Sequence, residues 1–276
     1  GMVTQPTCAV ATGNVPISNL PNTGGWTITA HGNSPATTFV QSGVGVSTSF
    51  TGLPVNSYTF TVTNLNNGCV SANSNNVFVN NPIPPSAPIV DSVDHPTCLS
   101  AQGIAFLSGL PMSGTWTLQI TPGGTTQTGT GTTTSVVGLS PSTNYTFVVV
   151  NAASCTSAVS SIASINAALV IPTVPAASIT QPTCPLPTGM LTVTTPLGAG
   201  LIYALNNGPT QSSPNFMSLA GGNYTLTVTS VSSGCTATNP SAFVINPTPQ
   251  PPAISISYVN NVTCFGAANG SAAVLV

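Results

Sequence analysis

Short runs in which apolar and polar residues alternate recur along the chain, and none has the longer period of an amphipathic helix. They are rich in Val, Thr, Ile, Phe and Tyr, and clusters of Gly, Pro and Asn separate them. Alternation of this kind predicts short β-strands that each bury one face, and many short strands with frequent turns are typical of β-sandwiches. We therefore predict an all-β protein, with the clearest strands at 25–32, 48–53, 57–64, 75–80, 103–109, 115–121, 134–139, 144–151, 189–195, 200–208, 223–230 and 241–247.

The predicted strands belong to a sequence repeat of about 80 to 90 residues, a length typical of an array of small domains. An opening motif that ends in Thr-Cys begins each repeat, and its four opening cysteines are Cys8, Cys98, Cys184 and Cys264. Proline-rich joints, which act as semi-rigid spacers, follow the repeats at 80–90, 170–178 and 245–255. We predict tandem Ig-like antiparallel sandwiches at 1–84, 85–173 and 174–252, and then, at 253–276, the first strand of a fourth repeat or a strand donated to a neighbouring chain.

Large aromatic residues occupy corresponding places in the three repeats. One lies on an early strand of each repeat, and these are Trp26, Trp116 and Tyr203. A second, a tyrosine, follows a leucine on a later strand, and these are Tyr58, Tyr145 and Tyr224. Trp26 and Trp116 are predicted core residues because they alternate with polar neighbours; stacking on a sugar is their alternative role.

The segment GLSPSTNYTFVV of the second repeat resembles the fibronectin type III pattern, in which a corner tyrosine bonds to the backbone. The motifs VTCFGAANGSAAV, GGNYTLTVT and SGCT resemble the tandem repeats of large Bacteroidota gliding-type surface adhesins, and this second resemblance covers all three repeats. It implies tandem Ig-like sandwiches on the cell surface. The chain lacks the acidic VTD turn of those repeats, so the resemblance implies no ion site.

Each repeat also has a closing cysteine, and these are Cys69, Cys155 and Cys235. The simplest pairing joins the two cysteines of one repeat, as Cys8–Cys69, Cys98–Cys155 and Cys184–Cys235. Regular pairs predict an oxidising compartment, and hence an extracellular or cell-surface protein. Cys264 is then left over, and its predicted partner lies either in the rest of a fourth repeat or in a neighbouring chain that receives the terminal strand.

The chain has almost no charge. Lys, Arg and Glu are absent, and charged residues are 1% of the sequence, whereas an average soluble domain has about 25%. Without cations the chain has no means of binding nucleic acid or anionic lipid through phosphate contacts. No apolar run approaches the roughly 20 residues of a membrane-spanning helix, so direct membrane insertion is not expected. The sequence offers no catalytic acid–base set, cofactor motif or Cys-His metal spacing, and we predict that the chain is not an enzyme.

Two weaker features concern ions and sugars. Asp91, Asp94 and His95 lie together at a joint and form a weak candidate Ca²⁺ site, but a solvated linker is the preferred interpretation. His31 is expected at a hairpin tip beside Gly32. Residues in short glycosylation patterns are Asn144, Asn223, Asn261, Asn269 and, in a Bacteroidota-type O-glycosylation signal, Ser92.

These observations favour a structural protein of an extracellular filament or adhesin stalk, built from disulfide-locked sandwiches joined end to end and glycosylated. The alternative is a carbohydrate-binding cell-surface adhesin module. The expected partners are further copies or repeats of the chain and covalently attached glycans, with no cofactor.

Overall fold

The computed structural model describes residues 1–276, all of which lie in β-strands or in the segments that connect them. It contains no helix long and apolar enough to cross a membrane. Contacts divide the chain into two compact units, one of Gly1–Pro96 with Ser100–Ala168 and the other of Thr97–Leu99 with Leu169–Val276. Three separate hydrophobic cores lie in the first, second and third repeats. The predicted all-β fold of tandem antiparallel sandwiches is therefore confirmed.

The first repeat contains two antiparallel sheets. Its strands are β1 (Gly13–Ser18), β2 (Gly25–Asn33), β3 (Ala36–Val44), β4 (Ser47–Leu53), β5 (Asn56–Asn64) and β6 (Val77–Val79). The sheet orders are β3-β2-β5-β6 and β1-β4. Successive side chains of a strand point to opposite faces, so β2 buries every second residue, beginning with Trp26 and Ile28. The core consists of Val15, Leu20, Trp26, Ile28, Ala30, Phe50, Leu53, Tyr58, Phe60 and Val79.

The second repeat has seven strands in a three-stranded and a four-stranded sheet. They are β7 (Ile89–Asp94), β8 (Gly103–Ser108), β9 (Trp116–Thr121), β10 (Thr125–Gly129), β11 (Thr134–Leu139), β12 (Thr143–Val150) and β13 (Ala163–Ile165). The orders are β11-β8-β7 and β10-β9-β12-β13, with every pair antiparallel. Between the sheets lie residues that include Leu107, Trp116, Leu118, Leu139, Tyr145 and Phe147.

The third repeat uses shorter strands in three small sheets. Its strands are β14 (Ala176–Thr180), β15 (Gly189–Thr195), β16 (Leu201–Leu205), β17 (Asn215–Leu219), β18 (Gly222–Tyr224), β19 (Leu226–Ser230), β20 (Thr236–Thr238) and β21 (Phe243–Ile245). The orders are β14-β15-β17, β16-β19-β20 and β18-β21. Its core is formed by Leu191, Val193, Tyr203, Phe216, Leu226 and Val228.

The last segment contains two strands where a single one was predicted. β22 (Ser255–Asn260) and β23 (Ser271–Leu275) pair antiparallel across the turn that holds Cys264. They correspond to the opening pairs β7–β8 and β14–β15 of the complete repeats. Every residue of the two strands is exposed. Segment 253–276 is therefore an opening hairpin.

Two local predictions were wrong. The segment around Asp91 and Asp94 is not a solvated linker, since it forms β7 and pairs with β8. His31 is not at a hairpin tip but inside β2, where its Nε2 lies 3.1 Å from Thr61 Oγ1. The first error arises because β7 has no buried residue to mark an alternation, and the second because β2 continues past Gly32 to Asn33, where it pairs with Ala36.

Candidate functional site: disulfides between neighbouring repeats

The structure pairs the cysteines between repeats and not within them. Cys8 is bonded to Cys155, with a Cα–Cα distance of 4.9 Å, and Cys98 is bonded to Cys235, with a Cα–Cα distance of 5.5 Å. Each bond joins the opening cysteine of one repeat to the closing cysteine of the next. The predicted pairs Cys8–Cys69, Cys98–Cys155 and Cys184–Cys235 are therefore wrong.

The reason is the length of the sandwich, and it is clearest in the first repeat. Gln5 holds the opening segment against the end of β6, because its Nε2 donates to Phe78 O at 3.1 Å and its Oε1 accepts from Asn80 N at 2.7 Å. That end of β6 pairs with the start of β5, whereas Cys69 follows the far end of β5. Nine residues of strand span roughly 25 Å, and a disulfide tolerates a Cα–Cα distance of only about 7 Å.

The first inter-repeat disulfide is supported by hydrogen bonds on both sides. The backbone N–H of Cys8 donates to Ala153 O at 2.9 Å. In the closing turn, Asn151 Oδ1 accepts from the N–H groups of Ala153 and Cys155, both at 3.0 Å. The Asn151 amide also donates to Ile83 O in the joint, at 3.2 Å. One turn thus holds both the preceding opening cysteine and the joint.

The second inter-repeat disulfide has an equivalent arrangement. Ser233 Oγ donates to Val170 O, the first residue of the joint at 170–178, at 2.7 Å. The Cys235 N–H donates to the same hydroxyl at 3.3 Å. Cys235 and Cys155 are both completely buried. The two closing turns therefore share one function, which is to fix a joint.

Three cysteines are unpaired and exposed: Cys69, Cys184 and Cys264. Cys69 is a closing cysteine, and the other two are opening cysteines. In the observed pairing, an opening cysteine bonds to the closing cysteine of the following repeat. The closing cysteine of the first repeat and the opening cysteines of the last two are therefore left over.

The corner tyrosines bond to backbone a few residues upstream, as the fibronectin type III resemblance implied. Tyr58 donates to Pro54 O and Tyr224 to Ala220 O, both at 2.9 Å, whereas Tyr145 accepts from Ser140 N at 2.9 Å. Burial raises the pKa of the Tyr58 phenol.

The early-strand aromatics all lie in cores. Trp26 Nε1 donates to Gly45 O at 2.7 Å and Trp116 Nε1 to Gly131 O at 2.8 Å. Tyr203, the third member of the set, donates to Pro196 O at 2.9 Å, and burial raises its pKa as well. Neither tryptophan offers a free face to a sugar, because each is at most 2% exposed.

The residues of the weak ion site have other partners. Asp91 Oδ1 accepts from Ser108 Oγ at 2.7 Å, and His95 Nδ1 accepts from Asn166 N at 3.4 Å. His95 thus makes in the second repeat the bond that Gln5 makes in the first, where Gln5 Oε1 accepts from the N–H of the residue after β6. The structure brings no group of three His, Cys, Asp or Glu side chains together.

All five glycosylation candidates are exposed, namely Ser92, Asn144, Asn223, Asn261 and Asn269. They differ in the freedom of their side chains. Asn269 Nδ2 donates to Thr263 Oγ1 at 2.7 Å, so attachment of a sugar there would displace a local hydrogen bond.

The sequence analysis missed a pair of serines after each of the first two closing cysteines. In the second repeat the hydroxyls of Ser157 and Ser160 accept from the N–H groups of Val149 and Phe147, at 3.0 and 2.9 Å. Ser71 and Ser74 do the same for β5. The sequence pattern that could have revealed these serines is Cys-Xaa-Ser-Xaa-Xaa-Ser, which occurs in both repeats.

Among solved structures, the chain is similar to the crystal structure of the chicken CNTN1 FN1-FN3 domains, with 15% sequence identity and a TM-score of 0.24. The match covers 89% of this chain and 98% of that one. No protein-family model matches the chain. No curated protein matches it either.

Proposed function

We propose that this chain is a structural module of an extracellular filament or adhesin stalk, in which β-sandwiches are joined end to end. The observation that carries the proposal is the pairing of Cys8 with Cys155 and of Cys98 with Cys235. A disulfide within one sandwich stabilises that sandwich alone. A disulfide from one repeat to the next restrains the connection between them, which is what a stalk under tension needs.

The hydrogen bonds of the joints support the same function. Ile83 O and Val170 O, one in each of the first two joints, both accept from the closing turn of the following repeat. Proline-rich joints are already semi-rigid, and these bonds restrict them further. Each connection is thus restrained by proline, by a hydrogen bond and by a disulfide.

The chemistry of the two disulfides supports a location outside the cytoplasm. Structural disulfides persist in oxidising environments and are rare in reducing ones. The resemblance of all three repeats to Bacteroidota surface adhesins favours the cell surface in particular.

Attached sugars would offset the lack of charge. A surface without Lys, Arg or Glu, on a chain with a formal net charge of −2, has little electrostatic protection against association. Asn144 and Asn223 are the best-placed acceptors, since both are exposed and each lies beside a corner tyrosine. The intact mass of the native protein should then exceed the 27.4 kDa of the chain by the mass of its glycans.

Imaging of the native material tests the proposed function. Immunogold labelling against this chain should decorate extracellular fibres along their length, and treatment with reductant should loosen those fibres. Label confined to the cytoplasm would contradict the proposal. Isolated molecules that bind a glycan array, without fibres, would favour the carbohydrate-binding module instead.

A further inference from the structure

The closing turn at Cys69 has the backbone conformation of the two closing turns that carry disulfides. The residue before each closing cysteine has positive φ: 73° at Gly68, 58° at Ser154 and 71° at Gly234. The carbonyl of each closing cysteine accepts from an N–H four or five residues earlier: Cys69 from Asn64 at 2.9 Å, Cys155 from Asn151 at 3.0 Å and Cys235 from Ser230 at 2.9 Å. The turn at Cys69 is therefore already built to receive an opening cysteine.

The surface around Cys69 is open where the other two closing turns are covered. Cys155 and Cys235 are completely buried, whereas Cys69 is exposed. A cleft of about 840 Å³ reaches Cys69, and its lining includes Val46 and Val70, which are 57% and 62% exposed. Covering these valines would remove apolar surface from water, which favours association.

The opening segment at Cys184 has the conformation of the segment that fills such a turn. In the Cys8 segment, Thr7 N donates to Val10 O at 2.8 Å and Val10 N donates to Thr7 Oγ1 at 2.9 Å. Thr183 and Leu186 form the same two bonds beside Cys184, at 2.8 and 3.2 Å.

The same pair of side-chain hydrogen bonds also fixes the two opening segments to the last strand of their own repeats. Gln181 Nε2 donates to Val244 O at 2.9 Å, and its Oε1 accepts from Asn246 N at 2.7 Å. Gln5 makes the corresponding pair of bonds to the end of β6. The segment at Cys184 is therefore held in advance in the arrangement that pairs with a closing turn.

Cys264 does not share this arrangement. Its turn is closed by a bond from Ala267 N to Cys264 O at 3.1 Å, and Thr263 N donates to Asn269 Oδ1 at 3.2 Å. The position of the buried Pro6 and Pro182 is taken by Val262, which is 54% exposed. Of the two free opening cysteines, Cys184 is thus the one that matches the bonded pattern.

We propose that the cleft around Cys69 receives the opening segment 181–187 of a second copy of this chain, and that Cys69 and Cys184 form an inter-repeat disulfide between copies. The N–H of the incoming Cys184 donates to Asn67 O, as that of Cys8 donates to Ala153 O. Because the two surfaces differ, the contact is head-to-tail and extends into open chains or rings. This inference rests on the proposed function, since it supplies the link between modules of a fibre.

The bond forms by exchange with a small-molecule disulfide such as oxidised glutathione. The Cys69 thiolate attacks one sulfur of that disulfide and releases one small thiol. The Cys184 thiolate then attacks Cys69 Sγ in the mixed disulfide and releases the second small thiol. Two protein thiols are oxidised to one disulfide, and one small disulfide is reduced to two thiols.

A complementation experiment tests the proposal. One variant, Cys69→Ser with Cys264→Ser, keeps only the free thiol of Cys184; the other, Cys184→Ser with Cys264→Ser, keeps only that of Cys69. We expect the mixture to form a disulfide-linked dimer in glutathione buffer at least about tenfold faster than either variant alone. Chymotryptic peptide 66–78 should be found joined to peptide 170–191.

Equal rates for the mixture and for the separate variants, or no dimer at all, would overturn the proposal. Adding Gln181→Ala to the first variant should slow the coupling, while the reactivity of Cys184 toward a small aromatic disulfide stays unchanged. Failure of the complementation together with intact Cys8–Cys155 and Cys98–Cys235 bonds would reject only the link between copies. Absence of those two bonds would reject the proposed function itself.

Discussion

At the scale of single residues, the cores of the first two repeats depend on a tryptophan ring packed over a glycine of the neighbouring strand. Trp26 pairs with Gly43 across β2 and β3, and Trp116 pairs with Gly129 across β9 and β10. A Cβ atom added at either glycine would lie 2.5 Å from Cη2 of the tryptophan ring. These glycines are required by packing, because no side chain fits beneath the ring.

The substitution Gly129→Ala should lower the free energy of unfolding by about 1 to 3 kcal/mol, because the added methyl forces Trp116 out of its position. Gly198→Ala is the matched control, since a Cβ there meets nothing within 4 Å and its φ is not in the left-handed region. Urea unfolding of both variants measures the difference. Equal stability of the two would contradict the account of the core.

The burial of two tyrosine side chains determines how the free energy of unfolding should depend on pH at the alkaline end. Burial raises the pKa of Tyr58 and Tyr203 above the ordinary value of about 10, so the folded chain keeps protons that the unfolded chain has released. Their contribution to stability is complete below about pH 10 and is lost as the pH rises toward the pKa values of the folded state.

The free energy of unfolding, measured with free thiols alkylated, should therefore fall as the pH rises above about 10, toward the pKa values of the folded phenols. The fall should be shallower in a Tyr58→Phe, Tyr203→Phe variant, which has no phenol at either site. The same pH dependence in both proteins would show that other groups cause it.

At the scale of elements, the segment after a closing cysteine pairs with the preceding strand through serine side chains. Ser160 N donates to Phe147 O at 2.9 Å while its hydroxyl accepts from Phe147 N, and Ser157 repeats this with Val149. In the third repeat a short strand, β20, occupies the corresponding place. Serine thus replaces the regular ladder in the first two repeats.

Replacement of Ser160 by alanine leaves the buried N–H of Phe147 without its acceptor. An unsatisfied buried donor costs about 1 to 3 kcal/mol, so Ser160→Ala should lower the free energy of unfolding by that amount. The neighbouring Ser161 is exposed, and Ser161→Ala should be neutral. Thermal unfolding of the two variants checks this, and a neutral Ser160→Ala would be evidence against the serine pairing.

The long strands that the sequence predicts have a buried face, whereas the long strand β3, which it misses, has none. β2 and β5 alternate clearly because Trp26, Ile28, Tyr58 and Phe60 enter the core. β3 was missed because its residues are exposed or only half-buried, and nothing in such a segment demands alternation. β13 and β20 were missed because, unlike the equally short β6 and β21, they contain at most one large apolar residue.

At the scale of the whole molecule, the pairing of the cysteines was not predictable from their spacing. The spacing showed that opening and closing cysteines belong to a repeat, but not that they lie at opposite ends of a sandwich. The opening segment is placed by the bonds of Gln5 and Gln181 to the last strand of their own repeats, and only the folded chain reveals these bonds. Once they are known, the neighbouring repeat is the only partner within reach.

The absence of Lys and Arg allows a sharp test of the first inter-repeat disulfide. Ser86→Lys, at an exposed place in the joint 80–90, creates the only tryptic site in the chain. After trypsin, fragments 1–86 and 87–276 should migrate together in a denaturing gel and separate when reduced, because Cys8–Cys155 joins them. With Cys8→Ser added, the fragments should separate without reductant. Separation of the original pair without reductant would point to bonds within repeats.

The most direct test of the central claim is a disulfide map of the native protein, with free thiols alkylated at acidic pH before chymotryptic digestion. The account predicts peptide 1–26 joined to 148–169 and peptide 79–99 joined to 227–243, which carry Cys8–Cys155 and Cys98–Cys235. Peptide 1–26 joined to 66–78, with 79–99 joined to 148–169, would place each bond inside a single repeat and contradict it.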